Sequence, residues 1–226
     1  MKLDEFATDV RHLGLTRTAV RSAYYRVNRG LGLRVLRFLA MEADRVNREL
    51  LDRRVPYECR ILEDAELSEL SRDPENQMSD RFLANALAKR DACFGILDDG
   101  VLASFGWYSN LPTLFHRTLE IRFDRRYLYM YHVYTRPTHR GRNLHGIGLA
   151  RACVALCARG HAGVVTLAER VNFASLASAR RVGYRDCGTA LVARVGRRTF
   201  VWQTPSPPRY ALRLEPSTSI DAGEDR

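Results

Sequence analysis

The stretch from Tyr134 to Gly148 constrains the fold more than any other part of this chain. It reads Tyr134-Thr135-Arg136-Pro137-Thr138-His139-Arg140-Gly141-Arg142-Asn143-Leu144-His145-Gly146-Ile147-Gly148. An extended, tyrosine-rich run meets a proline turn, then a basic loop with glycines that opens a helix. A join of this kind aims several backbone amides at one spot beside arginines, which suits a phosphate or pyrophosphate. The nucleotide-binding Gly-Lys-Ser/Thr signature does not occur, and no glycine triplet has the dinucleotide-binding spacing.

The rest of the chain arranges itself around that join. Thr16 caps a helical pattern through Ala19, Val20, Ala23 and Tyr24 to Gly30-Leu31-Gly32. Leu33, Leu36, Leu39, Val46 and Leu50 then keep a three-to-four spacing, so two helices with a glycine hinge are expected before Pro56. Strand character follows at Tyr57 to Leu62, and short helices at Asp64 to Leu70 and Asp80 to Lys89. A hairpin across Asp98-Asp99-Gly100 joins Cys93–Leu97 to Val101–Trp107. Strands are expected at Thr118 to Phe123 and Tyr127 to Thr135, a helix at Leu149 to Ala158, a strand at Val164 to Ala168, a helix at Phe173 to Val182, and a hairpin across Gly196-Arg197. This order predicts a mixed α/β sheet protein. The divisions read from it are a basic helical extension over 1–55, a sheet domain over 56–204, and a proline-containing, loose tail over 205–226.

The chain has 226 residues, 46% hydrophobic and 27% charged, which excludes disorder throughout. No apolar run approaches the roughly 18 residues of a spanning helix. The start, Met1-Lys2-Leu3-Asp4-Glu5, lacks a secretory layout, and the five cysteines, Cys59, Cys93, Cys153, Cys157 and Cys187, have no metal or redox spacing. A cytoplasmic, reduced protein without metal is expected, with Cys153 and Cys157 as inert buried thiols. The net charge is +10, yet only Lys2 and Lys89 among 36 basic residues are lysines, a bias that weakens net charge as a sign of nucleic-acid binding. Between Asp9 and Glu42 there is no acid, while Arg11, Arg17, Arg21, Arg26, Arg29, Arg34 and Arg37 fall there. That window reads either as a solvated helix face or as a docking surface for an anionic lipid, an acidic carrier protein or nucleic acid.

At Arg140-Gly141-Arg142-Asn143-Leu144-His145 the sequence resembles the acyl-CoA loop, Arg/Gln-x-x-Gly-x-Gly/Ala, of the GCN5-related N-acetyltransferase (GNAT) superfamily. Asn143 and His145 stand at its two small-residue positions. A second register, Asn143-x-x-Gly146-x-Gly148, keeps the glycines but loses the leading Arg and shortens the helix. The first also places Pro137 and Arg140-Gly141 at the family's proline turn. Asn172 to Tyr184 is similar to the family's segment after its fifth strand. The resemblance covers about Pro56 to Gln203. It implies a mostly antiparallel twisted sheet flanked by helices, with acyl-CoA, acetyl-CoA by default, in a cleft where the fourth and fifth strands splay.

The same resemblance implies that Val133, Tyr134 and Thr135 pair with the pantetheine, that Arg140, Gly141, Arg142, Asn143, Leu144, His145 and Gly146 hold the pyrophosphate, and that Asn172, with Ser175, approaches from the fifth-strand side. A primary amine, of a small molecule or a peptide, would attack the thioester directly. Where many members carry an acidic tyrosine, this chain has Ala179, and Ser178, Tyr184 and Tyr134 remain open as replacements. Candidate bases are His132, Tyr131, Glu120 and Glu169. Strand alternation places His132 and Tyr131 on opposite faces. His132 reads equally as a hydrogen-bonded sheet histidine. Competing readings are a carrier-protein donor gripped by the arginines between 11 and 37, and an inactive fold that binds CoA or nucleic acid. A homodimer is also open.

Overall fold

Residues 34–41, Arg-Val-Leu-Arg-Phe-Leu-Ala-Met, are buried along nearly their whole length, with Leu36, Phe38 and Ala40 in one core and Leu39 and Met41 in another. A run covered on both faces is a central strand, and the computed structural model, which describes residues 14–116, 118–196 and 198–217, makes it one. The elements are α1 (Leu15–Leu31), β1 (Arg34–Met41), α2 (Arg48–Asp52), β2 (Glu58–Ile61), α3 (Asp64–Leu70), α4 (Asp80–Ala88), β3 (Ala92–Asp98), β4 (Val101–Ser109), β5 (Thr113–His116), β6 (Leu119–Arg122), β7 (Tyr127–Thr135), α5 (Leu144–Cys157), β8 (Gly163–Glu169), α6 (Phe173–Val182), β9 (Arg185–Val195), β10 (Arg198–Gln203) and β11 (Arg213–Pro216).

Eight strands form one sheet in the order β10-β9-β1-β8-β7-β4-β3-β2, and β11-β6-β5 form a second. Every pairing is antiparallel except β7 with β8. The mixed, mostly antiparallel fold class expected from the sequence therefore stands. The alternation of Tyr, Leu, Met and Val along β7 suits a pleated, half-buried surface. Leu144, Ile147, Leu149 and Leu156 of α5 are buried in the core on one face of the large sheet, each contributing about 1.5–3 kcal/mol of transfer free energy. On the other face, α3 and α4 cover β3 and β4, and the small sheet covers β1, β8 and β9.

Two expectations are corrected. Of the two helices expected before Pro56, the first is present as α1, ending at its cap Gly32, but the second is replaced by β1, which sits between β9 and β8. Within the spacing that suggested a second helix, Leu36 and Leu39 belong to a strand buried on both faces, a pattern that periodicity alone does not separate from a helix, and Leu50 belongs to the short α2. The tail is also structured beyond 205. Tyr210, Leu212 and Leu214 are each 2% exposed, and β11 pairs with β6 from Arg213↔Arg122 to Pro216↔Leu119. Their period-two alternation lay hidden between prolines. Residues 1–13, with Arg11, Arg197 of the last hairpin, and 218–226 lie outside the described residues. The helix at the basic join begins at Leu144, five residues earlier than the sequence pattern placed it, and so agrees with the first loop register.

Candidate active site and anion cradle

The pairing of β7 with β8 runs from Tyr127↔Gly163 to Tyr129↔Val165 and stops. Beyond it, β7 stays bonded to β4 as far as Thr135, and β8 to β1 as far as Glu169. Each strand keeps its outer partner while the two part from one another, so a wedge opens between them. Thr166 Oγ1 donates to Met130 O at 3.1 Å near its apex. Within the wedge, β4 pairs Trp107 with Tyr131 and Gly106 with Val133, which leaves His132 as the extra residue of a bulge at φ +43°. A non-glycine residue held there costs about 1–3 kcal/mol and must be fixed by its surroundings.

The bulge overturns one expectation. Phe82 meets both Tyr131, with ring centroids at 6.0 Å, and His132, at 4.6 Å. Both side chains therefore lie on the α4 face, while Val133 turns to the α5 face. There Val133 lines a cleft of about 210 Å³, open to solvent at its mouth, with Gly106, Tyr108, His145 and Gly148.

Beyond Thr135 the chain turns through Pro137–His139 and enters α5 through a loop with Gly141 at φ +81° and Asn143 in the left-handed region. The first helical bond is Ile147 N to Asn143 O. Among the described residues, the amides from Gly141 to Gly146 have no backbone partner. A Cβ at Gly146 would sit 2.9 Å from Asn143 Oδ1, so this turn needs glycine. Arg140, whose Nε donates to Thr135 O at 3.2 Å, and Arg142, whose Nη1 donates to the Tyr57 hydroxyl at 2.5 Å, stand exposed beside these amides. The arrangement fits an anion with several oxygens. His145 faces the cleft, and burial pulls its pKa below the usual histidine value.

No family model and no curated protein matches the chain. Solved structures do. A GCN5-related N-acetyltransferase from Kribbella flavida is 16% identical over 75% of this chain and 61% of its own, with a TM-score of 0.49. A GNAT-family acetyltransferase from Colwellia psychrerythraea is 14% identical over 71% of this chain and 55% of its own, at 0.48. A tandem GNAT protein of the clavulanic acid pathway is 15% identical over 91% and 59%, at 0.46. The chain spans less than two thirds of the length of each of these three proteins.

The candidates for chemistry fall at different places. His132 is exposed to solvent, yet Phe82 and Phe105, the latter at 5.5 Å, flank its ring. That partial burial lowers its pKa, and the Gln77 backbone, hydrogen-bonded to the ring, opposes the shift. Tyr131 is committed elsewhere. Its hydroxyl donates to Asp91 Oδ2 at 2.5 Å, and burial with this bond pushes the phenol far above its ordinary range. Glu169 ends β8 in an ion pair with Arg34 Nε at 3.2 Å. Ser178 is half-buried on α6, and Ala179 is buried in the core. The Tyr184 hydroxyl contacts Met130 Sδ at 3.8 Å, and full burial pushes its pKa well up. Glu120 is buried and held by Arg122. Asn172 caps α6, accepting from Ser175 N at 3.2 Å, so these two residues are engaged with each other.

The arginines of the acid-free window divide as well. Arg34 and Arg37 lie on β1, not on a helix, and Arg37 Nη1 donates to Thr189 Oγ1 at 3.1 Å. Arg26 of α1 is exposed.

Three groups escaped the sequence reading. Arg136, only 8% exposed, binds Asp73 at 2.6 Å, Glu75 at 2.7 Å and Asn76 Oδ1 at 2.7 Å. It ties the 73–77 turn to the end of β7. Asp91 is buried with Lys89 Nζ at 2.8 Å, and Lys89 also donates to Ser109 and Thr113. Phe82 forms the wall beside the bulge. Arg136 sits within the stretch singled out above, but its acidic partners lie about sixty residues away, and no local pattern links them.

Proposed function

We propose that the protein is an acyl-CoA-dependent N-acyltransferase, acetyl-CoA by default, acting on a primary amine of a small molecule or peptide. One observation carries the reading: the wedge between β7 and β8 leads directly to the partnerless amides of Gly141 to Gly146, flanked by Arg140 and Arg142. The free edge of Val133 to Thr135 suits the amides of a pantetheine arm, and the loop suits its pyrophosphate. His132 is the base in this reading. Its lowered pKa keeps the imidazole neutral near pH 7, and the Gln77 contact occupies one ring nitrogen and leaves the other to accept a proton. Tyr131 supports the bulge rather than exchanging protons.

The test is release of free CoA thiol from acetyl-CoA in the presence of a panel of amines, comprising polyamines, amino sugars, amino acids and peptides. An amine-dependent rate that falls by about 10²–10⁴ in His132→Gln supports the assignment of the base. An amine-dependent rate that His132→Gln leaves unchanged contradicts that assignment and returns Glu169 to consideration as the base.

A further inference from the structure

The free end of the large sheet carries a surface that acyl transfer does not use. β10 is its edge strand, and the register Arg198↔Val195, Phe200↔Ala193 and Trp202↔Leu191 places Val195, Arg198, Phe200 and Trp202 on one face. The opposite face of the hairpin, with Ala190, Val192 and Val201, packs into the core shared with the small sheet. On the open face Val195 is 67% exposed, Trp202 56% and Phe200 42%, and the first two are the most exposed large apolar residues among those described.

Charge says what such a face meets. From Cys187 to Leu214 the chain has no acidic residue, and β1, which pairs with β9, comes from the other acid-free window. Arg198 shares this face, and Arg194, opposite Thr199 in the register, is exposed on the other face of the same hairpin tip. The carboxylates that bracket the segment are occupied, Asp186 by Arg180 and Glu215 by Arg122 and Arg213. An apolar tip with aromatic rings, ringed by arginine and free of carboxylate, matches the interface of an anionic bilayer.

We propose that the β9–β10 hairpin docks on an anionic phospholipid surface, with Val195, Phe200 and Trp202 entering the headgroup region and Arg194 and Arg198 meeting lipid phosphates. Two features favour lipid over single-stranded nucleic acid. Phe200 and Trp202 stack on each other, with centroids 6.0 Å apart and planes at 17°, so each ring spends a face that a base would need. Val195, the most exposed of the three, is aliphatic and offers nothing for a base to stack on.

The test is sedimentation of the full chain with phosphatidylcholine vesicles and with mixed phosphatidylcholine–phosphatidylglycerol vesicles, alongside tryptophan emission. The chain has two tryptophans, and Trp107 is buried, so a vesicle-induced blue shift reports Trp202. The expected result is binding to the mixed vesicles alone, weakening with salt, with a blue shift. The double change Phe200→Ser with Trp202→Ser should lower partitioning at least about tenfold, and Arg194→Glu with Arg198→Glu should do the same, without altering the thermal midpoint. No binding to mixed vesicles overturns the proposal, as does binding that the double variants retain. Trp202 quenching by an oligothymidine that mixed vesicles fail to displace assigns the face to nucleic acid instead. A concentration-dependent dimer on size exclusion that the Phe200→Ser, Trp202→Ser change dissolves assigns it to a second copy.

Discussion

His132 is where backbone strain, aromatic packing and proton chemistry meet. Burial beside Phe82 and Phe105 disfavours the imidazolium, so the folded protein binds fewer protons than the unfolded chain near pH 6. The stability this neutral ring provides is present above the unfolded value and lost as pH falls through it. His145 in the cleft contributes in the same direction. An NMR titration should place both midpoints below the ordinary value near 6.5. Unfolding free energy should decline from pH 7 to pH 5, and less in a His132→Gln, His145→Gln double variant. Midpoints at or above the ordinary value would contradict this account. Over the ring of the neighbouring Tyr131, Lys89 uses its donors on Asp91, Ser109 and Thr113. Lys89→Met leaves a buried carboxylate with only the Tyr131 hydroxyl, so urea unfolding should show a loss of about 3 kcal/mol. A loss near zero would contradict the role given to this ion pair.

The elements differ in how far their own residues announce them. α6 was legible to the residue, because Asn172 caps it and Gly183 ends it, and both signals are local. The hairpin at Asp98-Asp99-Gly100 was legible for the same reason. β1 was not, since a strand buried on both faces carries no alternation and its leucines fit a helix equally well. The bulge at His132 was invisible for a different reason. It exists only as a mismatch between the registers of β4 and β7, so no reading of β7 alone finds it. The loop between β7 and α5 was legible as a run of open amides beside arginines because both lie in one stretch. The turn at 73–77 depends on Arg136 from a distant strand. Arg136→Met should therefore raise hydrogen exchange at the amides of 74–77 while leaving α6 protected. Unchanged protection in the turn would show that it stands without the arginine.

At the scale of the whole molecule, the segment before Pro56 contributes β1, a central strand of the large sheet. A fragment of residues 56–226 would expose the facing edges of β8 and β9, and it should fail to give a cooperative thermal transition. Phe38→Ala in the full chain, at a site with 0% exposure, should cost about 3–5 kcal/mol. A folded 56–226 fragment would restore the appendage reading. The central claim is that the wedge and the loop after it form one acyl-CoA site. The measurement that tests it most directly is calorimetric titration of the full chain with acetyl-CoA and with acetyl-pantetheine, for the natural sequence and for Arg140→Ala with Arg142→Ala. The account predicts saturable one-to-one binding of acetyl-CoA, much weaker binding of acetyl-pantetheine, and loss of at least about tenfold in affinity in the double variant. Absence of acetyl-CoA binding, or binding that neither the missing nucleotide nor the missing arginines weaken, would contradict it.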